Sequence, residues 1–191
     1  MIRLVQLNHP NEGRRIAMVE NNQLVLLKTY RTIYDLASNA IETEIDLESK
    51  VSGDLSDHQV AYDQIYLGKS EWKLLTAFDH PQTHSRCLVA GTGLTHKASA
   101  ANRQAMHEES GHTEITDSMQ IYQMGLDGGK PGSGKIGIQP EWFYKGHGNV
   151  LRAHGEQLIV PSFADDGGEE PEIAGAYLIG PDGQPYRVGL V

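Results

Sequence analysis

The chain has 191 residues, 39% hydrophobic content and a formal net charge of −9. That length supplies one sizeable core, or one domain with a small appendage. The acidity argues against nucleic acid or an anionic membrane as the main partner, and a mean hydropathy of −0.42 argues against a membrane protein.

The N-terminal stretch Met1-Ile2-Arg3-Leu4-Val5-Gln6 lacks the basic-then-apolar layout of a signal peptide. Arg3 to Leu7, Arg15 to Val19 and Gln23 to Leu27 are short apolar-rich runs. Asn11-Glu12-Gly13 and Glu20-Asn21-Asn22 separate them with residues that tolerate left-handed backbone, which predicts a small β unit over 1–27. Residues 32–50 read as helical, because Ile33, Leu36, Ala37, Ala40, Ile41 and Ile45 recur at spacings of three and four. Residues 53–70 are mixed and polar and read as loop or a second short helix. Pro81 marks a boundary before Cys87-Leu88-Val89-Ala90, a short buried-strand candidate. Cys87 is the only cysteine, so no intrachain disulfide forms and a reducing cytoplasm is expected.

Gly91-Thr92-Gly93-Leu94-Thr95-His96 then turns into a helix predicted over Ala98 to Glu109. Residues 110–141 are rich in Gly, Ser, Asp and Pro around a helical patch at Asp117 to Met124, the pattern of a lid or binding loop. Beyond Glu141 the reading turns mostly β: Trp142 to Lys145, Leu158 to Pro161, Ile173 to Ile179 and Tyr186 to Val191. Gly180-Pro181-Asp182-Gly183 is turn chemistry and predicts a hairpin between the last two runs. No apolar run approaches the roughly 20 residues that cross a bilayer.

Several motifs compete for a function. Gly129-Lys130-Pro131-Gly132-Ser133-Gly134-Lys135 nearly matches a phosphate-binding loop. Ile136 stands where a Mg²⁺-binding hydroxyl belongs and no strand leads in, so it reads as a surface loop. Nine histidines invite zinc, but none of them shows a compact ligand spacing and Cys87 has no partner. Ser99 lacks a Gly-x-Ser-x-Gly elbow, which argues against a serine hydrolase. His96 follows a Gly-rich strand-to-helix turn, a frequent place for active-site groups. A histidine there also serves as a helix-start residue bonded to nearby backbone.

Lys145 closes the run Trp142-Phe143-Tyr144-Lys145-Gly146 and reads either as a surface strand end or as a buried amine near carboxylates. Glu170-Pro171-Glu172 precedes the apolar run from Ile173. On a strand, residues two apart point the same way, so Glu170 and Glu172 aim two carboxylates at one spot. Like charges that close repel unless a cation sits between them, and a hard oxygen-seeking ion, Mg²⁺ above all, fits that need. An acidic strand edge facing solvent is the plain alternative.

Three stretches together resemble the fumarylacetoacetate hydrolase family: Cys87 to His96, Pro140 to Gly146, and Glu170-Pro171-Glu172-Ile173-Ala174. They are similar to that family's strand and turn into its active-site helix, its Phe-x-Lys strand and its Glu-x-Glu metal strand. The likeness covers residues 86–191 well and 1–50 loosely, and the pieces most resemble the sugar-acid branch, which includes 2-keto-3-deoxy-pentonate dehydratases. The resemblance implies an α+β fold, mostly β, with a small N-terminal β/α unit over 1–75. The first part of a catalytic mixed β-roll, incomplete at its C-terminal end, would follow over 76–191. It implies Mg²⁺, with Mn²⁺ or Ca²⁺ as substitutes, held by Glu170 and Glu172.

It further implies a small 2-oxo sugar acid as substrate, Lys145 and His96 in the catalytic group, and Thr92, Thr95 and Phe143 as substrate contacts. A homodimer in the cytoplasm is expected. The metal would stabilise the enolate formed when a C3 proton leaves, and loss of the C4 hydroxyl would complete dehydration. Two departures qualify the match. Hydrolase members carry a histidine where this chain has Ser99, which disfavours C–C hydrolysis and leaves room for a dehydratase. The family's third metal ligand, an aspartate, would lie past Val191, because Asp182 sits in a turn; the chain thus reads as the N-terminal part of a longer enzyme. Acylpyruvate hydrolysis, decarboxylation or isomerisation on the same scaffold stays open, as does a catalytically inert fragment.

Overall fold

The computed structural model describes residues 2–93, 97–109, 111, 114–138, 141–164, 167 and 172–191. They form two compact units, Met1–Cys87 with Gly148–Val191, and Leu88–His147.

The first unit opens with the meander read from the sequence: β1 (Leu4–His9), β2 (Gly13–Glu20) and β3 (Gln23–Leu27). Its two turns place Gly13 at φ 68° and Asn21 at φ 53°, the left-handed conformations that Gly and Asn take at least cost. The helical stretch is two helices rather than one. α1 (Ile33–Thr43) starts where Thr32 Oγ1 accepts the Asp35 N–H at 3.0 Å, and ends at Glu44 with φ 53°. α2 (Leu47–Asp54) restarts at Asp46, whose Oδ1 accepts the Ser49 N–H at 2.9 Å.

The polar region after it, expected as loop or a short helix, contains a short helix and also an unforeseen strand. It holds a strand, β4 (Leu55–Ala61), followed by α3 (Tyr62–Tyr66) and the two-residue β5 (Lys73–Leu74). The five strands make one antiparallel sheet in the order β4-β3-β2-β1-β5. β4 carries polar residues because it is an edge strand: its ladder to β3 needs backbone rather than apolar side chains.

Both faces of this sheet are covered. Leu7, Ala17, Leu24 and Leu26 pack with Ile65 and Trp72 on one side. Ile16 and Leu27 pack with Ile33, Leu36 and Val51 of the two helices on the other. β3 is therefore buried on both faces, which explains its unbroken apolar run. Each fully buried Leu or Ile contributes about 1.5–3 kcal/mol of apolar transfer. The polar Gln6 sits in the same core at 1% exposure.

The second unit comprises β6 (Leu88–Gly93), α4 (Lys97–Glu109), α5 (Asp117–Gly128) and β7 (Glu141–His147). β6 and β7 form an antiparallel ribbon. β6 is the expected strand but not a buried one, since Leu88 is 66% exposed. α4 is fixed to the start of α5 through Gln104, whose Oε1 accepts the Thr116 N–H at 3.0 Å. The glycine-rich run 129–135 follows a helix and leads into no helix, so it lacks the surroundings of a phosphate loop.

The chain then returns to the first unit. Residues 158–161, read as a strand, form none; Leu158 and Ile159 are exposed, and apolar content alone gave them no ladder partner among the described residues. The hairpin of β8 (Gly175–Ile179) and β9 (Pro185–Leu190) forms as expected around Gly180-Pro181-Asp182-Gly183, with Gly183 at φ 75°. Val188 packs it against the cluster of Ile16 and Leu27. The class is α+β, 31% helix and 29% strand, so β does not predominate among the described residues. Among those residues no helix is long and apolar enough to cross a membrane.

Candidate functional site

The β6–β7 ribbon brings two of the three singled-out motifs side by side. Gly91 pairs with Phe143, Thr92 with Trp142 and Gly93 with Glu141. The register shifts between Val89 and Ala90, which pair with Gly146 and Tyr144, so Lys145 is the extra residue of a bulge. Gly146 takes φ 148° there, a conformation that excludes a side chain.

The bulge aims Lys145 along the ribbon onto Phe143, with Nζ 5.3 Å from the ring centroid. Both side chains lie over Gly91. A Cβ on Gly91 would stand 2.5 Å from Phe143 Cζ and 2.8 Å from Lys145 Cε. The glycine is thus the floor on which an exposed aromatic ring and a cation stack, an arrangement suited to an anionic ligand with a flat or apolar part.

Residues directly opposite on an antiparallel ribbon share a face, and neighbours along a strand alternate. Thr92 therefore lies with Trp142 and Tyr144 on one face, and Phe143 lies with Lys145 on the other. The tyrosine hydroxyl pairs with His147 Nδ1 at 2.7 Å. Trp142 and Tyr144 are 61% and 49% exposed, a second aromatic surface that the sequence reading passed over. Their spacing of two was the available signal. Thr95 and His96 lie outside the described residues, as does the side chain of Ser99; α4 begins at Lys97.

Glu172 is exposed and precedes β8 by three residues, and Glu170 lies outside the described residues. The strand alternation that would align the two carboxylates is therefore not part of the described structure. Asp182 performs the turn role read for it: Oδ1 accepts the Gln184 N–H at 3.0 Å and Oδ2 the Tyr186 hydroxyl at 2.9 Å. Among the described residues no three His, Cys, Asp or Glu side chains gather as a metal site. Of the Glu170–Glu172 pair, the described structure thus contains Glu172 alone.

Among the described histidines, His80 takes a structural part. His80 is buried, stacks 4.6 Å from the Tyr34 ring, and its Nδ1 accepts the Gln82 and Thr83 N–H groups at 3.3 and 3.1 Å. Burial, then the Asp79 charge, pushes the Cys87 thiol above its ordinary range, which makes it a poor nucleophile.

Comparison with protein-family models, with curated proteins and with solved structures found no match.

Proposed function

We propose that the protein is a Mg²⁺-dependent lyase of the fumarylacetoacetate hydrolase type, dehydrating a 2-keto-3-deoxy sugar acid. The reading rests on the three motifs in their order along the chain. The observation that carries it furthest is the Lys145–Phe143 stack over Gly91, which joins the first motif to the second and presents a cation on an apolar ring. In this reading Lys145 holds the substrate carboxylate by charge-assisted hydrogen bonding, and Phe143 covers its apolar edge. By its resemblance to the family's Glu-x-Glu strand, Glu172 would be an oxygen ligand of Mg²⁺, which when bound would supply Lewis-acid polarisation of a 2-oxo group. Thr92 lies on the other face of the ribbon, apart from the Lys145–Phe143 stack.

Dehydration is favoured over hydrolysis because the hydrolase histidine has no counterpart at Ser99. Calorimetric titration with Mg²⁺ tests the metal half of the proposal. Saturable binding by the wild type, weakened in Glu172→Gln with an unchanged circular dichroism spectrum, is expected. No binding, or equal binding by the variant, would overturn it.

A further inference from the structure

The first unit contains a half-open cavity of about 560 Å³, within the range of small-molecule sites. Ile33, Leu47, Phe78 and Val188 give it apolar walls. Among the described residues, the charged side chains in its lining are Arg3 and Arg187, with no aspartate or glutamate beside them. That is unusual in a chain of net charge −9. Both arginines are exposed, and neither makes an ion pair with another described residue. Two acidic groups close by in sequence are engaged elsewhere. Asp46, next to Leu47, bonds Ser49 through its N–H and hydroxyl, and Asp182 bonds Gln184 and Tyr186. Val191 at the rim exchanges backbone hydrogen bonds with Ala174, at 2.9 Å each way.

We propose that this cavity binds a small carboxylate with an apolar body. Two guanidinium groups at an apolar cavity match one monoanionic head, because the guanidinium fork pairs with a carboxylate in bidentate fashion. The walls take the tail, and removing that tail from water supplies most of the affinity. The exposed arginines contribute a smaller increment that selects charge sign. None of the residues named for the lyase reaction lines this cavity, so the two proposals stand or fall separately.

The test is calorimetric titration of the full chain with sodium octanoate, octanol and octylammonium chloride. Octanoate is expected to bind one saturable site about tenfold more tightly than octanol, with octylammonium weakest. Arg187→Gln should weaken octanoate about threefold and leave octanol unchanged. Arg3→Gln gives the same readout should Arg187→Gln lose its folded spectrum. Absence of saturable octanoate binding, equal affinity for octanoate and octanol, or folded arginine variants that bind octanoate as the wild type does would each overturn the proposal.

Discussion

Gln6 Oε1 accepts the backbone N–H of Ile33 at 2.9 Å, joining the middle of β1 to the first residue of α1 in the buried core. The same amide donates from Nε2 to Thr76 O at 2.8 Å and to Asp79 Oδ1 at 2.9 Å. One buried side chain thus ties a strand, a helix start and the 76–79 loop. Replacing Gln6 by Leu leaves the Ile33 N–H and the Thr76 carbonyl without partners. The expected loss is about 1–3 kcal/mol for each buried unsatisfied group, read as a lower urea midpoint. An unchanged midpoint would show that water takes over the amide's contacts.

Asp79 accepts hydrogen bonds from both terminal Arg14 guanidinium nitrogens, Nη1 and Nη2, and from the Gln6 amide. Burial pushes its carboxyl up, but the hydrogen bonds from Arg14 and Gln6 and the Arg14 charge outweigh it and hold the group below its ordinary value. A carboxyl lowered by folding stabilises the protein above its unfolded pKa, about 3.9, and loses that contribution as pH falls through the folded value. Asp79→Asn is therefore expected to destabilise at neutral pH, with the gap to wild type narrowing below about pH 4. Urea unfolding across a pH series measures this; a gap independent of pH would contradict it.

Gly91→Ala forces a methyl against the Phe143 ring, which the β7 backbone holds, and against the flexible end of Lys145. The lysine can swing away and the ring has less freedom. The expected cost is about 1–3 kcal/mol of overpacking, together with loss of the upfield ring-current shift of the Lys145 methylenes in NMR spectra. Retention of that shift would mean the stack tolerates a side chain below it.

In the hairpin turn, hydrogen bonds from the Gln184 N–H and the Tyr186 hydroxyl lower the Asp182 carboxyl, and the Asp182 carboxylate raises the Tyr186 phenol. Asp182→Asn should bring the Tyr186 titration back down toward its ordinary value of about 10. Ultraviolet difference titration against Tyr186→Phe isolates that group, and an unmoved transition would place the phenol outside the carboxylate's influence.

The meander and the hairpin were legible because their turns carry Gly, Asn and Pro-Asp at positions where backbone conformation leaves few alternatives. The split of the helical stretch at Glu44–Asp46 was also encoded, in an aspartate three residues before Ser49, but apolar spacing through Ile45 masked it. β4 was not legible, since Ser56-Asp57-His58-Gln59 carries no alternating apolar signal and owes its form to the open edge of β3. Leu158 to Pro161 failed the other way: the run has strand composition and joins no ladder among the described residues. At the candidate site, the sequence named Phe143 and Lys145. It did not reveal that Gly91 is their floor, or that Thr92 faces away from them, because both follow from a cross-strand register and a bulge that no local pattern announces.

The most direct test is turnover of 2-keto-3-deoxy-arabinonate by the purified protein, with Mg²⁺ and with chelator, compared with Lys145→Met and Glu172→Gln. The account expects Mg²⁺-dependent dehydration by the wild type. Lys145→Met should lower that rate by about a hundredfold or more through loss of charge stabilisation at the substrate carboxylate, and Glu172→Gln should abolish the Mg²⁺-dependent turnover. Absence of turnover by the wild type, or a Lys145→Met rate equal to it, would contradict the account.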